Sequence, residues 1–280
     1  MWHLVKIPKV VHLYWGNDTI SFMRYLTVLS FKKFNPDWKI KIYHPQKKYA
    51  GDRTWNSREH NVVFLGPNYN DRLKDIDTEN IEIDFSELGI NDDMPETFKS
   101  DFLRWYILST EGGLWSDFDI IYIKTMDDLY LNQDTNNHID TMLCINEDRE
   151  YHSIGFLLAS AGNELFRLIH EQSYSCLNLK YYQSIGAKLL KHHVPNMESI
   201  NSKFTTIHAI NLKMEVVYPL PVNRINSIFN SHPQQIITND TLGIHWFGGD
   251  PLAGKFENLL TEDNYHDYGT LITDIIARVM

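Results

Sequence analysis

The chain predicts an α/β fold, a central mostly parallel sheet flanked by helices, and three stretches near its start predict it. Lys9-Val-Val-His-Leu-Tyr-Trp15 is a short apolar run closed by Gly16-Asn17-Asp18, which reads as a buried strand feeding a turn. Ser21 to Phe34 sets Phe22, Tyr25, Leu26, Leu29 and Phe34 on one helical face. Asn35-Pro36-Asp37 stops that helix, because proline disfavours helical geometry in the residue before it. Trp38-Lys-Ile-Lys-Ile-Tyr43 alternates apolar and basic side chains at period two, as a half-covered strand does. Strand, helix and strand in this order imply a parallel sheet with helices on its faces.

The remaining elements follow in order. Residues 45–80 are polar with few clean periods and read as loops and short elements. Asp92 or Asp93 is placed to cap a helix with Pro95 in its first turn, running to about Thr110. Gly112-Gly113 ends it, and a strand follows over 114–123. A short helix near 126–132 precedes strands at 141–145 and 154–159. Helices are expected at 163–176 and 181–193, short strands near 205–208, 214–218 and 242–247, and a closing helix over 264–279. With no internal repeat, low-complexity run or break in composition, residues 1–280 read as one domain.

The 280 residues, 43% hydrophobic and 22% charged, suffice for one well-buried core. No run of about eighteen apolar residues is present, so membrane insertion is not expected. The start lacks the apolar stretch and cleavage site of a secretory signal, and Cys144 and Cys176 fit neither metal-ligand spacing nor a disulfide framework. A reducing, cytoplasmic location is the expectation. Net charge is −10, which weighs against generic nucleic-acid binding. The charge is uneven, however: residues 1–58 carry eleven Lys/Arg against three Asp. That basic third could attract a phosphate-bearing ligand.

Chemistry concentrates between Ser100 and Lys124. Asp-x-Asp occurs twice, at Asp75/Asp77 and Asp117/Asp119, about what chance gives, so context decides. Asp75 and Asp77 lie in a polar stretch and read as solvated surface. Asp117 and Asp119 lie between Leu114-Trp115 and Ile120-Ile-Tyr-Ile123, where two carboxylates are costly unless they meet a cation or donors. On an extended strand both would face one side, a hard-oxygen pair suited to Mn²⁺ or Mg²⁺ completed by phosphate and water. Capping of backbone, or an ion pair with Arg104, is the plainer reading. Asp101 and Arg104, three apart, share a helical face with mostly apolar neighbours.

This stretch resembles the DXD region of GT-A glycosyltransferases, the group of fungal initiating mannosyltransferases and bacterial capsular-polysaccharide and lipo-oligosaccharide enzymes, distantly like clostridial glucosylating toxins. The matching residues are Asp101, Arg104, Gly112, Gly113, Asp117 and Asp119. Ile7 to Gly16 resembles the family's first strand, and Gly243-Ile-His245-Trp246-Phe247-Gly248-Gly249 its closing segment. Ser116 departs from the hydrophobic residue often found before the first Asp, which bears on the donor sugar read. The resemblance implies a single Rossmann-like GT-A domain, with 1–124 binding the nucleotide sugar and 125–280 serving the acceptor side and closure. It implies a metal-dependent, retaining transferase moving a sugar from a nucleotide-diphosphate donor to a hydroxyl acceptor. The implied catalytic set is Asp101, Arg104, Asp117 and Asp119. Metal ligands would be Asp117, Asp119 and His245, since a neutral imidazole suits a borderline cation. Donor contacts would come from His12, Tyr14, Trp15, Ser100, Asp101, Arg104, Trp246 and Lys255, with Trp15 stacking on the base. Glu147 and Asp148 are acceptor-side candidates.

Other readings compete. A haloacid-dehalogenase-type phosphatase also uses Asp-x-Asp, but wants four apolar residues before it, which Gly113-Leu-Trp-Ser116 is not. A non-catalytic nucleotide-sugar-binding module would share the fold. Among acceptors, a glycan or lipid-linked saccharide is favoured. DNA with hydroxymethylated bases is the alternative, on the basic and aromatic run Phe31-Lys-Lys-Phe34, Trp38, Lys39, Lys41, Tyr43, Lys47, Lys48 and Tyr49.

Overall fold

The computed structural model describes residues 7–51, 63–131, 139–148, 150–232 and 236–280. Its elements run β1 (Val10–Tyr14), α1 (Phe22–Phe34), β2 (Lys39–Pro45), α2 (Asn70–Leu73), β3 (Glu79–Ile83), α3 (Glu96–Thr110), β4 (Gly113–Ser116), β5 (Ile120–Tyr122), α4 (Asp127–Leu131), β6 (Thr141–Asn146) and β7 (Tyr151–Ala159). Then come α5 (Glu164–Cys176), α6 (Ala187–His193), α7 (Met197–Lys203), β8 (Ala209–Asn211), α8 (Asn226–Phe229), β9 (Gly243–His245), α9 (Pro251–Leu259) and α10 (Leu271–Val279). Among these, seven strands form one sheet in the order β3-β2-β1-β4-β7-β6-β8, and β5 pairs with β9 apart from it. The four pairings β3-β2, β2-β1, β1-β4 and β6-β8 are parallel, and β7 runs antiparallel to β4 and β6. The expected mostly parallel α/β architecture is present.

Alternation along the strands divides the core between the two faces. Val11 and Leu13, Ile40 and Ile42, Leu114, Met142 and Leu158 belong to one buried cluster. Tyr14, Tyr43, Trp115, Leu143 and Leu157 belong to the other. Helices α1 and α10 contribute to the first cluster, and α3, α5 and α6 to the second. β7 lies between β4 and β6, so the stretches before and after residue 124 share one sheet.

Several expected elements differ. The strand expected over 114–123 is two strands. Asp117 leaves the main sheet with its N–H on Gly155 O at 2.8 Å, and the chain turns through Phe118 and Asp119 into β5. Helix α3 starts at Glu96 with Pro95 at its N-cap and no side-chain cap. Asp92 instead accepts from Phe85 N at 3.2 Å. β3 emerges from the region read as loop, within which 52–62 lies outside the described residues. A single 3₁₀ turn, Met214–Val216, replaces the strand expected at 214–218. The short strand near 205–208 lies later, at β8. The helix expected over 181–193 is confined to α6, and that over 264–279 to a 3₁₀ turn at Tyr265–Asp267 and α10.

Candidate active site

Helix α3 carries Asp101 and Arg104 towards the carboxyl ends of β1 and β4, and Gly112-Gly113 makes that placement possible. Both glycines have positive φ, +68° and +98°, a region that L side chains rarely adopt. A Cβ on Gly113 would lie 2.6 Å from Val10 O, and one on Gly112 2.5 Å from Ala161 N. The reversal is fastened by His12, whose Nε2 donates to Gly112 O at 2.8 Å while Nδ1 accepts from Tyr43 Oη at 2.9 Å. Burial holds the His12 pKa down at about 4, so the ring is neutral.

Arg104 bridges helix and turn. Its Nη1 donates to Asp101 Oδ1 at 2.9 Å and its Nη2 to Asp117 Oδ1 at 3.0 Å. Trp115 Nε1 donates to the same Asp117 oxygen at 3.1 Å. Asp117 Oδ2 is left beside Gly155, where a Cβ would come within 2.6 Å of it. Asp119, 8% exposed, is gripped from the far end of the chain. Gly248 N–H donates to its Oδ2 at 2.7 Å, and Trp246 N–H to its backbone carbonyl at 2.9 Å. Phe247, with φ of +56°, turns the backbone between them. His245 Nε2 lies 3.0 Å from Asp119 Oδ1, yet that buried oxygen makes no well-aligned hydrogen bond among the described residues.

The electrostatics favour charge on these groups. Burial works against the Asp119 carboxylate, but His245, then Arg24 and the Gly248 N–H, hold its pKa below the ordinary carboxylate value. Burial likewise works against His245⁺, and the Asp119 charge more than offsets it, so its pKa is raised. One ligand atom from each of Asp117, Asp119 and His245 lies within 4.8 Å of the others. Two carboxylates and an imidazole, with a buried oxygen lacking a proper donor, fit a divalent cation of the Mg²⁺ or Mn²⁺ kind.

Two cavities meet at this cluster. The narrower, about 240 Å³, is lined by Tyr14, Trp15, Gly16, Arg24, Ser100, Asp101 and Arg104. The wider, about 590 Å³, is lined by Glu150, Tyr151, Lys188, Lys191, Tyr218 and His245. Asp117, Asp119, Ile154, Tyr182, Gln183 and Gly249 border both. The structure thus brings together Tyr14, Trp15, Ser100, Asp101, Arg104, Asp117, Asp119 and His245. It does not bring four others to the cleft, and it takes Trp246 out of reach. His12 is 0% exposed under the Gly112 turn, so it cannot touch a donor. Trp246 is also 0% exposed, so its indole cannot touch a donor, while its backbone N–H holds the Asp119 carbonyl. Lys255 is exposed on the regular helix α9 and lines neither cavity. Glu147 accepts from Met197 N at 2.9 Å, capping α7, and neither it nor Asp148 lines either of these two cavities. Sequence reasoning missed Arg24, Glu150, Gln183 and Tyr218. Only Arg24 left a trace, as a lone charge among Phe22, Met23, Tyr25 and Leu26.

Residues 23–136 match the family model described as glycosyltransferase sugar-binding region containing DXD motif. No curated protein sequence matches the chain. Among solved structures, the chain is similar to the PaToxG glycosyltransferase, at 17% identity over 71% of this chain and 75% of that one, with a TM-score of 0.44. It is similar to the galactosyltransferase LgtC in complex with donor and acceptor sugar analogues, at 13% identity, 92% and 99% coverage and a TM-score of 0.41. It is similar to mouse xyloside xylosyltransferase 1, at 9% identity, 88% and 100% coverage and a TM-score of 0.47. Likenesses at this level carry no residue correspondence. Residues 23–136 thus carry a DXD-containing glycosyltransferase sugar-binding region, which on this α/β fold supports a transferase acting on a nucleotide sugar.

Proposed function

We propose that this protein moves a sugar from a nucleoside-diphosphate donor to a hydroxyl of a glycan or lipid-linked saccharide, with Mn²⁺ or Mg²⁺ at Asp117, Asp119 and His245. The observation that carries this reading is the convergence of those three side chains at the seam between a narrow and a wide cavity. When bound, the ion supplies positive charge against which the diphosphate departs. Asp117 and Asp119 act as catalytic carboxylates by holding that charge at the seam. Trp15 and Tyr14 line the donor side, where Trp15 offers an indole face to the base. Ser100, Asp101 and Arg104 face the donor sugar and fix its hydroxyls. The wider cavity, edged by Tyr151, Tyr182 and Tyr218, takes the acceptor. Retention of anomeric configuration is the stereochemistry the family resemblance implies.

The DNA alternative is weakened by the placement of its basic run. Phe31, Trp38 and Tyr43 are buried, which leaves only the partly covered Phe34 and Tyr49 of that run as aromatic surface. Lys32, Lys41 and Lys48 pair with Asp77, Glu111 and Asp18. A glycan or lipid-linked acceptor therefore stands first. We read residues 1–280 as one working unit, because donor-side β4 and acceptor-side β7 are hydrogen-bonded neighbours. Among the described residues no helix is long and apolar enough to cross a membrane. Both cysteines are free thiols, which supports a reducing, cytoplasmic setting. The test is a panel of nucleotide sugars incubated with Mn²⁺, scored by released nucleotide. Metal-dependent release from one donor is expected, and no release from any would leave a binding module.

A further inference from the structure

Arg24 reaches from α1 into the narrower cavity with its guanidinium between two indoles, 4.7 Å from the Trp15 centroid and 4.6 Å from that of Trp246. Glu257 of α9 aims it. Arg24 Nε donates to Glu257 Oε1 at 2.8 Å, and Nη2 meets Oε2 only at 3.5 Å. Ser21 Oγ donates to the same Oε1 at 2.8 Å. Nη1 makes no hydrogen bond among the described residues. Nη2 abuts Gly248, where any Cβ would overlap it, and Gly248 N–H is the donor to Asp119 Oδ2. The guanidinium therefore lies alongside the aspartate and histidine cluster.

Arg24 and Arg104 are the two cationic side chains lining the narrower cavity among the described residues. Arg104 is committed to Asp101 and Asp117. Lys255, expected from sequence as a donor contact, is exposed on α9 and does not line this cavity. A guanidinium beside a divalent-cation site is repelled by the ion unless an anion lies between them. A diphosphate has the oxygens to accept from both, and a planar, delocalised cation suits it better than an ammonium.

We infer that Arg24 is a further donor-binding residue, whose Nη1 edge holds the diphosphate of the sugar nucleotide and keeps hold of it as its charge grows on departure. Trp15 and Trp246 keep the guanidinium in plane, and Glu257 keeps it aimed. This rests on the reading of the cleft as a sugar-nucleotide site.

The experiment compares wild type, Arg24→Lys and Arg24→Met for binding of UDP, GDP, uridine and guanosine with Mn²⁺ present, by quenching of tryptophan fluorescence, with thermal melts confirming the fold. For whichever diphosphate the wild type prefers, Arg24→Met should lose roughly tenfold to a hundredfold in affinity, as for a hydrogen bond to a charged group. Arg24→Lys should lose less, and the matching nucleoside should bind all three proteins alike. If Arg24→Met strands Glu257 and fails to fold, Arg24→Lys preserves the ion pair and carries the comparison. Equal losses for nucleoside and diphosphate would show that Arg24 merely props Trp15, and undiminished diphosphate affinity would also overturn the assignment. A wild-type protein that binds neither UDP nor GDP would remove the sugar-nucleotide reading itself.

Discussion

Asp119 is secured through four separate contacts, from His245, Trp246 and Gly248 on one segment and from Arg24 on another, at its side chain, its carbonyl or by charge alone. Trp15 differs in kind: it is partly exposed, packed on Phe118 at 5.4 Å and anchored by its Nε1 to Thr19 O at 2.9 Å. On the proposed reading, a pre-set indole of this sort would stabilise a bound base without touching the reacting atoms. Trp15→Ala should therefore raise the donor KM about five- to a hundredfold with a smaller change in kcat, as measured by initial rates over donor concentration. His12 supplies a stability prediction. Its pKa is depressed from 6.5 to about 4, so the unfolded chain takes a proton that the folded chain refuses as pH falls between those values. Stability should be unaffected by this ring above pH 6.5 or so and should decline below it. Urea midpoints at pH 7 and 4.5 should fall less for His12→Gln than for wild type.

At the scale of elements, the segment from α3 through the two glycines to the aspartates was legible, because helical spacing, glycine and buried carboxylates all leave local marks. Its geometry was only half legible. The shared face of Asp117 and Asp119 follows from a turn between two sheets, not from one strand, and nothing local announces that β5 pairs with distant β9. β3 escaped because it is a sheet-edge strand with Glu79 and Glu82 exposed and Ile81 and Ile83 only partly covered. α9 carried readable signals in its Asp250 N-cap and Pro251, obscured by Gly254 within it. Arg24 showed only as a lone charge among apolar neighbours; its place in the site was not legible, since its partners Trp246 and Glu257 arrive from more than two hundred residues away. The glycine reversal is the element most sensitive to change. Gly113→Ala forces a positive φ and a clash with Val10 O, costing on the order of 1–3 kcal/mol or more. Thermal melting should fall by several degrees, and a variant melting with wild type would contradict this account of the turn.

For the whole molecule, the sheet brings two ends of the chain to one cleft: β1 and α3 line the narrow side, and the segment after β9 closes over Asp119. The fold class followed from the opening strand, helix and strand, whereas the wide cavity did not, since its lining from β7, α6 and the 218–223 stretch is assembled only by tertiary packing. A ligand bridging segments this far apart in sequence should stabilise the folded state as a unit. At a concentration about a hundred times its Kd, a nucleoside diphosphate with Mn²⁺ should add about 2.7 kcal/mol and raise the melting temperature, and a chelator should reverse part of that gain. An unchanged melting temperature for every nucleotide tried would argue against a donor site in this cleft.

The most direct measurement of the central claim compares nucleotide release from the preferred sugar nucleotide by wild type and by Asp119→Asn, which is similar in shape but lacks the charge. Both should melt cooperatively, and release by the variant should fall a hundredfold or more, on the order of losing a main electrostatic contributor to the transition state. Release by Asp119→Asn at the wild-type rate would contradict the assignment of this cluster as the centre of sugar transfer.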